Sequence, residues 1–226
     1  LDQLHHAHHR RLEGHVRRNP RLRLFALQPP HPRSRRQQPH RLDPFQIGNL
    51  NCLTVLNRAG KKISVEIPAS LSRLQSLNHL ELSNNQISGR IPADFDNLKT
   101  LSRALLSRNQ LTGPIPDSMS NLLADLDISM NQISGALPSW LGDLPVLSTL
   151  NLDSNAIGGQ IPAKLLGSKG LGIINLSRNT LEGEIPDAFG PESYFMALDL
   201  SYNNMKGKLP GSLSSAAYVG HLAGLF

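Results

Sequence analysis

Leu77–Pro92 reads LNHLELSNNQISGRIP, and most of the chain downstream is that stretch rewritten. Its asparagine recurs at Asn85, Asn109, Asn131, Asn155, Asn179 and Asn203. Its proline recurs at Pro68, Pro92, Pro116, Pro138, Pro162, Pro186 and Pro210. The step is 24 residues, with a single step of 22 between Asn109 and Asn131. A fixed period in this range marks a solenoid, in which no unit buries its apolar face alone and each stacks on its neighbours.

Each position in the unit has a physical job. Leu80 and Leu82, Leu126 and Ile128, Leu150 and Leu152, Ile174 and Leu176, and Leu198 and Leu200 alternate with polar residues, as a strand with one buried face requires. The asparagine follows where the chain turns out of the sheet. Its amide can satisfy backbone groups that a buried turn leaves unpaired. Gly89, Gly113, Gly135, Gly159, Gly183 and Gly207 suit a backbone that a Cβ would hinder. The Ile-Pro or Leu-Pro pair then favours an extended segment. The predicted fold is an α/β-type repeat solenoid: a right-handed superhelix with a parallel concave sheet and an irregular, 3-10 convex side.

Three segments follow. Residues 46–210 form about seven repeats, and 211–226 begin another that stops without a polar cap. Residues 1–45 differ in kind, with seven histidines and ten Lys+Arg against three Asp+Glu. The remainder has 13 against 14, so the net charge of +6 is local to that segment. Three functional readings arise for it: a metal site at His5, His6, His8 and His9, a basic nucleic-acid-binding tail, or a disordered arm. A plainer one is favoured. Pro20 and Pro44 continue the proline series at the same 24-residue step. Shifted by one nucleotide, Ala7–Pro20 can be back-translated to LTIADWKDMSGEIP and Pro39–Pro44 to LIGxIP, both in phase with the repeat. We read residues 1–45 as frameshifted repeats, irregular as written, with no metal and no nucleic-acid partner. Resequencing the coding DNA across Leu1–Val65 checks this, since an inserted or missing nucleotide would restore two repeats.

The first in-frame unit is damaged. Arg58 stands where Leu82 stands, Lys61 replaces the turn asparagine, and Val65 replaces the glycine. An unpaired guanidinium facing the core is costly, so this coil is expected to distort or to let Arg58 snorkel out. Ala104, at the place of Leu80, is expected to underfill its layer. The 22-residue step removes two residues from the convex crossing, where a length change costs little. The lone cysteine, Cys52, cannot form an intrachain disulfide.

Function in such a solenoid is expected on the outward positions of the sheet. These form columns, from which we take Glu81, Ser83, Arg103, Ser107, Asp125, Asp127, Ser129, Asn151, Asp153, Ser177, Asp199 and Ser201 as partner-binding candidates. The middle, around Asp125, Asp127 and Asp153, would suit a basic protein surface or a polyhydroxylated ligand. The bland alternative is that these are solvated strand residues. No phosphate loop, nucleophile elbow or zinc-binding HExxH occurs, and the paired carboxylates lie on an open face, so no enzyme and no cofactor are expected. Asn175-Leu176-Ser177 is the only N-glycosylation sequon. No run is long and apolar enough to span a membrane, and no secretory signal opens the chain. A monomer without a membrane partner is expected.

The segment N-x-I/L-x-G-x-I-P resembles the plant-specific class of extracellular leucine-rich repeats, found in receptor-like kinases and polygalacturonase-inhibiting proteins. LTVLN at 53–57, LADLDISMNQISGALP at 123–138 and SSAAYVGHL at 214–222 look closest to the DNA-damage-repair/toleration branch. The resemblance implies a secreted, wall-associated, non-enzymatic defence protein whose concave face takes a protein such as a microbial polygalacturonase. The cysteine-bearing caps of that class are missing here. Two alternatives stay open: a structural or ice-binding solenoid using a regular face, for which the serine column broken at Asp153 is the one candidate, and a fragment of a receptor-kinase ectodomain.

Overall fold

In the computed structural model, residues 47–224 are described, all within one compact unit spanning Arg35–Phe226. The expected irregular segment over 1–45, with its candidate histidines, lies outside the described residues.

Inward leucines at period two generate short strands. Val55–Asn57, His79–Glu81, Arg103–Leu105, Asp125–Asp127, Thr149–Asn151, Ile173–Asn175, Ala197–Asp199 and Leu222–Ala223 pair in that order into an eight-stranded parallel sheet. The register places Leu56, Leu80, Ala104, Leu126, Leu150, Ile174, Leu198 and Leu222 side by side. The first seven are buried, and with the leucines two positions on they form one continuous core. The expected repeat solenoid is what the chain builds.

The outer side is more regular than expected. Extended segments after the asparagine make a second parallel sheet of five strands, running from Thr112–Gly113 to Asn204–Met205. Two features account for it. Gly113, Gly135, Gly159, Gly183 and Gly207 take φ between 72° and 91°, which bends each coil alike. The residue before proline is held extended, so neighbouring coils meet at strand spacing. Most convex crossings carry 3-10 turns, such as Ala69–Arg73, Ala93–Asn97 and Ser139–Asp143, one is the α-turn Ala163–Leu166, and the crossing after Pro186 has no helical turn. The coil two residues short has no helical turn between Pro116 and Leu123.

The asparagines do more than close their own turn. Asn109 accepts from the Ile87 N–H of the preceding coil at 3.0 Å. Its amide donates to Leu82 O in that coil and to Leu106 O in its own, both at 3.0 Å. Asn85, Asn131, Asn155, Asn179 and Asn203 repeat the arrangement. The residue before each is left-handed: Asn84, Arg108, Met130, Ser154, Arg178 and Tyr202, with φ between 52° and 58°. A side chain there costs roughly 1–2 kcal/mol, and glycine recovers that less its own entropy. Met130→Gly is therefore expected to raise stability by roughly 0.5 kcal/mol in urea titration. A loss would mean that the Met130 side chain packs usefully.

The first coil departs as its sequence warns. Gly60 takes the left-handed position, Lys62 is also left-handed at φ 55°, and Val65 does not take the positive φ of the glycine it replaces. Arg58 has left the core only in part. It is half-buried, and its Nε is buried without a hydrogen-bond partner.

Candidate partner-binding face

The strands set three outward columns, and the structure gives each a different character. The middle column is occupied with its own backbone. Asn57, Glu81, Asp127, Asn151, Asn175 and Asp199 each accept, through a side-chain oxygen, the N–H two residues on, at 2.9–3.3 Å. These Asx-type caps end six of the eight strands, Leu105 being an apolar exception within the column, so acidic and amide residues recur here for a structural reason. One oxygen of Asp127 and one of Asp199 are left over for other partners.

The serine column lies deeper than its sequence spacing implies. Ser83 and Ser129 are buried, and Ser177 is 1% exposed. Ser107 donates to Ser83, Ser129 to Asp127 at 2.6 Å, and Ser177 to Asp153 and Asn175, both at 2.7 Å. These hydroxyls are engaged in the ladder, and Ser201 lies half-buried at its end. The Ser177 hydroxyl of the sequon is thereby enclosed. Its acceptor, Asn175, sits on the sheet between Asn151 and Asp199, so a glycan there would lie over the face itself.

The acidic centre carries its own counter-charges. Arg103 Nε meets Asp125 at 2.7 Å, and Arg178 Nη1 meets Asp153 at 3.3 Å, each pair joining neighbouring coils. Asp153 also accepts from Ser154 at 2.9 Å. Asp125 and Asp153 are therefore partly neutralised, and Asp127 is the carboxylate of the three without a basic partner among the described residues.

Sequence reasoning missed a fourth column, made of the left-handed residues. Arg178 lies over the ring of Tyr202, 5.0 Å from its centroid, and Tyr202 is 74% exposed. Exposed Met130 and Arg108 precede them in the same column. The signal was available, since these are the residues just before each ladder asparagine, but only the positive φ shows that their side chains swing out at the sheet's border. An aromatic ring held by a cation, itself tied to Asp153, makes a rigid and wettable anchor.

A carboxyl away from this face is perturbed. Asp187 accepts from Ser212, whose hydroxyl and amide hold its carboxyl below the usual range. Among the described residues no cluster of His, Cys, Asp or Glu is placed to hold a metal, and no helix is long and apolar enough to cross a membrane.

The repeats match the Leucine Rich Repeat family over residues 76–98, 100–122, 123–144, 170–191 and 196–216. No curated protein matches the sequence. Among solved structures, the chain is similar to the Arabidopsis receptor kinase HAESA, determined with the peptide hormone IDA and the co-receptor SERK1. Identity is 39% over 75% of this chain and 28% of that one, with a TM-score of 0.71. It is similar to the plant peptide hormone receptor RGFR1, determined with RGF2, at 33% identity over 78% of this chain and 30% of that one, TM-score 0.73. A plant ice-binding protein shares the fold at 24% identity, over 79% of this chain and 67% of that one, TM-score 0.56. The chain spans less than a third of the length of the two receptor chains.

Proposed function

We propose that this leucine-rich-repeat solenoid is a non-enzymatic, extracellular plant module that binds a peptide or an extended protein segment on its concave face. The observation that carries the reading is the Asp153–Arg178–Tyr202 constellation beside the unpaired Asp127. It offers one aromatic anchor and one carboxylate oxygen without a basic partner on an open sheet, with no cleft there to exclude water from a reaction. The similarity to receptors solved with peptide hormones supports the same class of partner. The reading holds whether these coils stand alone or form a stretch of a longer ectodomain. Inhibition of a microbial polygalacturonase is the narrower form of it, supported by the resemblance of the repeats to that inhibitor class.

Titration of the chain against a panel of secreted plant peptides and a fungal polygalacturonase tests the proposal. Tyr202→Ala and Asp127→Lys should each weaken the partner found by about tenfold or more. Unchanged affinity in both variants would remove the concave face from consideration. The ice-binding alternative needs a regular exposed array, and the serine column is largely buried. A thermal-hysteresis measurement should accordingly be flat.

A further inference from the structure

Asn175-Leu176-Ser177, the one acceptor sequence for N-linked sugar in the chain, lies in a strand rather than in the surface loop where such sequences usually stand. Its two polar side chains are in opposite states. The Asn175 Oδ1 accepts from the Ser177 N–H at 3.1 Å and from the Ser177 hydroxyl at 2.7 Å. The Asn175 Nδ2 donates to nothing among the described residues, and it is not enclosed. All that the fold asks of this side chain is its oxygen, so a sugar on the nitrogen breaks no hydrogen bond. Asn151 caps its strand in the same way, but Asp153 follows it, so the neighbouring coil offers no second acceptor.

The hydroxyl is the opposite case. Ser177 is 1% exposed, and its Oγ is shared between Asp153 and Asn175. The coil that follows fastens the backbone around it. The Leu176 N–H donates to Asp199 O at 2.8 Å, the Arg178 N–H to Ser201 O at 2.9 Å, and Asn203 Nδ2 to Leu176 O at 2.9 Å. A transferase that reads this sequence must grip both the amide and the hydroxyl, and the closed strand denies it the second. The sequence is therefore open only between its own synthesis and that of the next repeat. At about 5–20 residues per second, a repeat of 24 residues takes roughly 1–5 s.

We infer that Asn175 is an N-glycan acceptor available only before its coil closes, and that the glycan, once attached, covers the C-terminal half of the concave face. This rests on the extracellular reading above, since the reaction belongs to the secretory lumen. In it, the Asn175 Nδ2 attacks the anomeric carbon of an oligosaccharide carried on a lipid pyrophosphate. The C–N bond forms as the C–O bond to the pyrophosphate breaks. The lipid pyrophosphate leaves with the electron pair, and the transferase takes one Nδ2 proton. Asn175 lies between Asn151 and Asp199 in the sheet. Through Ser177 and Asp153 a short chain of contacts joins it to Arg178 and Tyr202. The first sugars therefore stand beside the anchor proposed for the partner. The race between transfer and closure sets how many molecules keep an open face.

Two preparations test this: the chain secreted from plant cells behind a leader peptide, and the same chain made in bacteria, which carries no glycan. Mass spectrometry of the secreted chain should find sugar at Asn175. Given oligosaccharyltransferase and its lipid-linked donor, the folded bacterial chain should be modified about a hundredfold or more slowly than a synthetic Gly172–Asn179 peptide. Hydroxyl-radical oxidation of Tyr202, measured against Tyr194 and Tyr218 outside the concave sheet, should be about threefold or more slower in the glycosylated chain. A secreted chain bare at Asn175 would overturn the acceptor, and a folded chain modified as fast as the peptide would overturn the timing. Equal Tyr202 oxidation in both preparations would overturn the covering. None of these readouts involves a partner, so they stand or fall separately from peptide binding on the face.

Discussion

Asn179→Ala lowers the stability of the repeat array by about 3–5 kcal/mol, the upper range for one side chain. Asn179 is 8% exposed, so water cannot replace what is lost. Its Oδ1 accepts from Ile157 N at 3.0 Å, and its amide donates to Leu152 O at 3.0 Å and Leu176 O at 3.1 Å. Alanine bares three buried backbone groups at once, each worth about 1–3 kcal/mol when unpaired. Asn131 has the same bonds in a half-buried setting, and Asn131→Ala should cost clearly less. Urea unfolding of both variants decides the matter. Equal, small losses would mean that the asparagines are passengers of the turn.

Arg58→Leu works in the opposite direction. Arg58 takes the place of an inward leucine in its coil and is half-buried, with its Nε buried and unpartnered. Removing that orphan and burying a leucine is expected to add about 2–4 kcal/mol. The urea midpoint should rise with little change in slope. A fall in stability would show that the stem of Arg58 fills its layer better than leucine can.

Both predictions rest on residues whose positions were legible at the outset. The ladder leucines, the turn asparagines, the bending glycines and the extended prolines repeat often enough that period alone identifies them, and the structure places each as expected. What period could not supply is direction between coils. The sequence shows that Asn109 closes a turn, not that it reaches Ile87 N and Leu82 O in the coil before. The second sheet was illegible for the same reason, since Thr112–Gly113 or Thr180–Gly183 becomes a strand only when equally bent coils bring extended segments together. The candidate face was read less well. Asp127 and Asn151 recur because strand ends need caps, and Ser177 is buried by its own hydrogen bonds. Tyr202 and Arg178 went unread because only a left-handed backbone turns them outward.

The asparagine bonds all run the same way along the chain. Each coil's buried turn is completed by the asparagine of the coil that follows it, never by the one before. A chain growing from its N-terminus would therefore hold its newest coil unfinished until another repeat has been made, about 24 residues later. The two edges of the stack are unequal in consequence. Stripping a coil from the N-terminal side frees an asparagine that can turn to water. Stripping one from the C-terminal side uncovers backbone amides and carbonyls in the coil left behind, and unzipping should start from there.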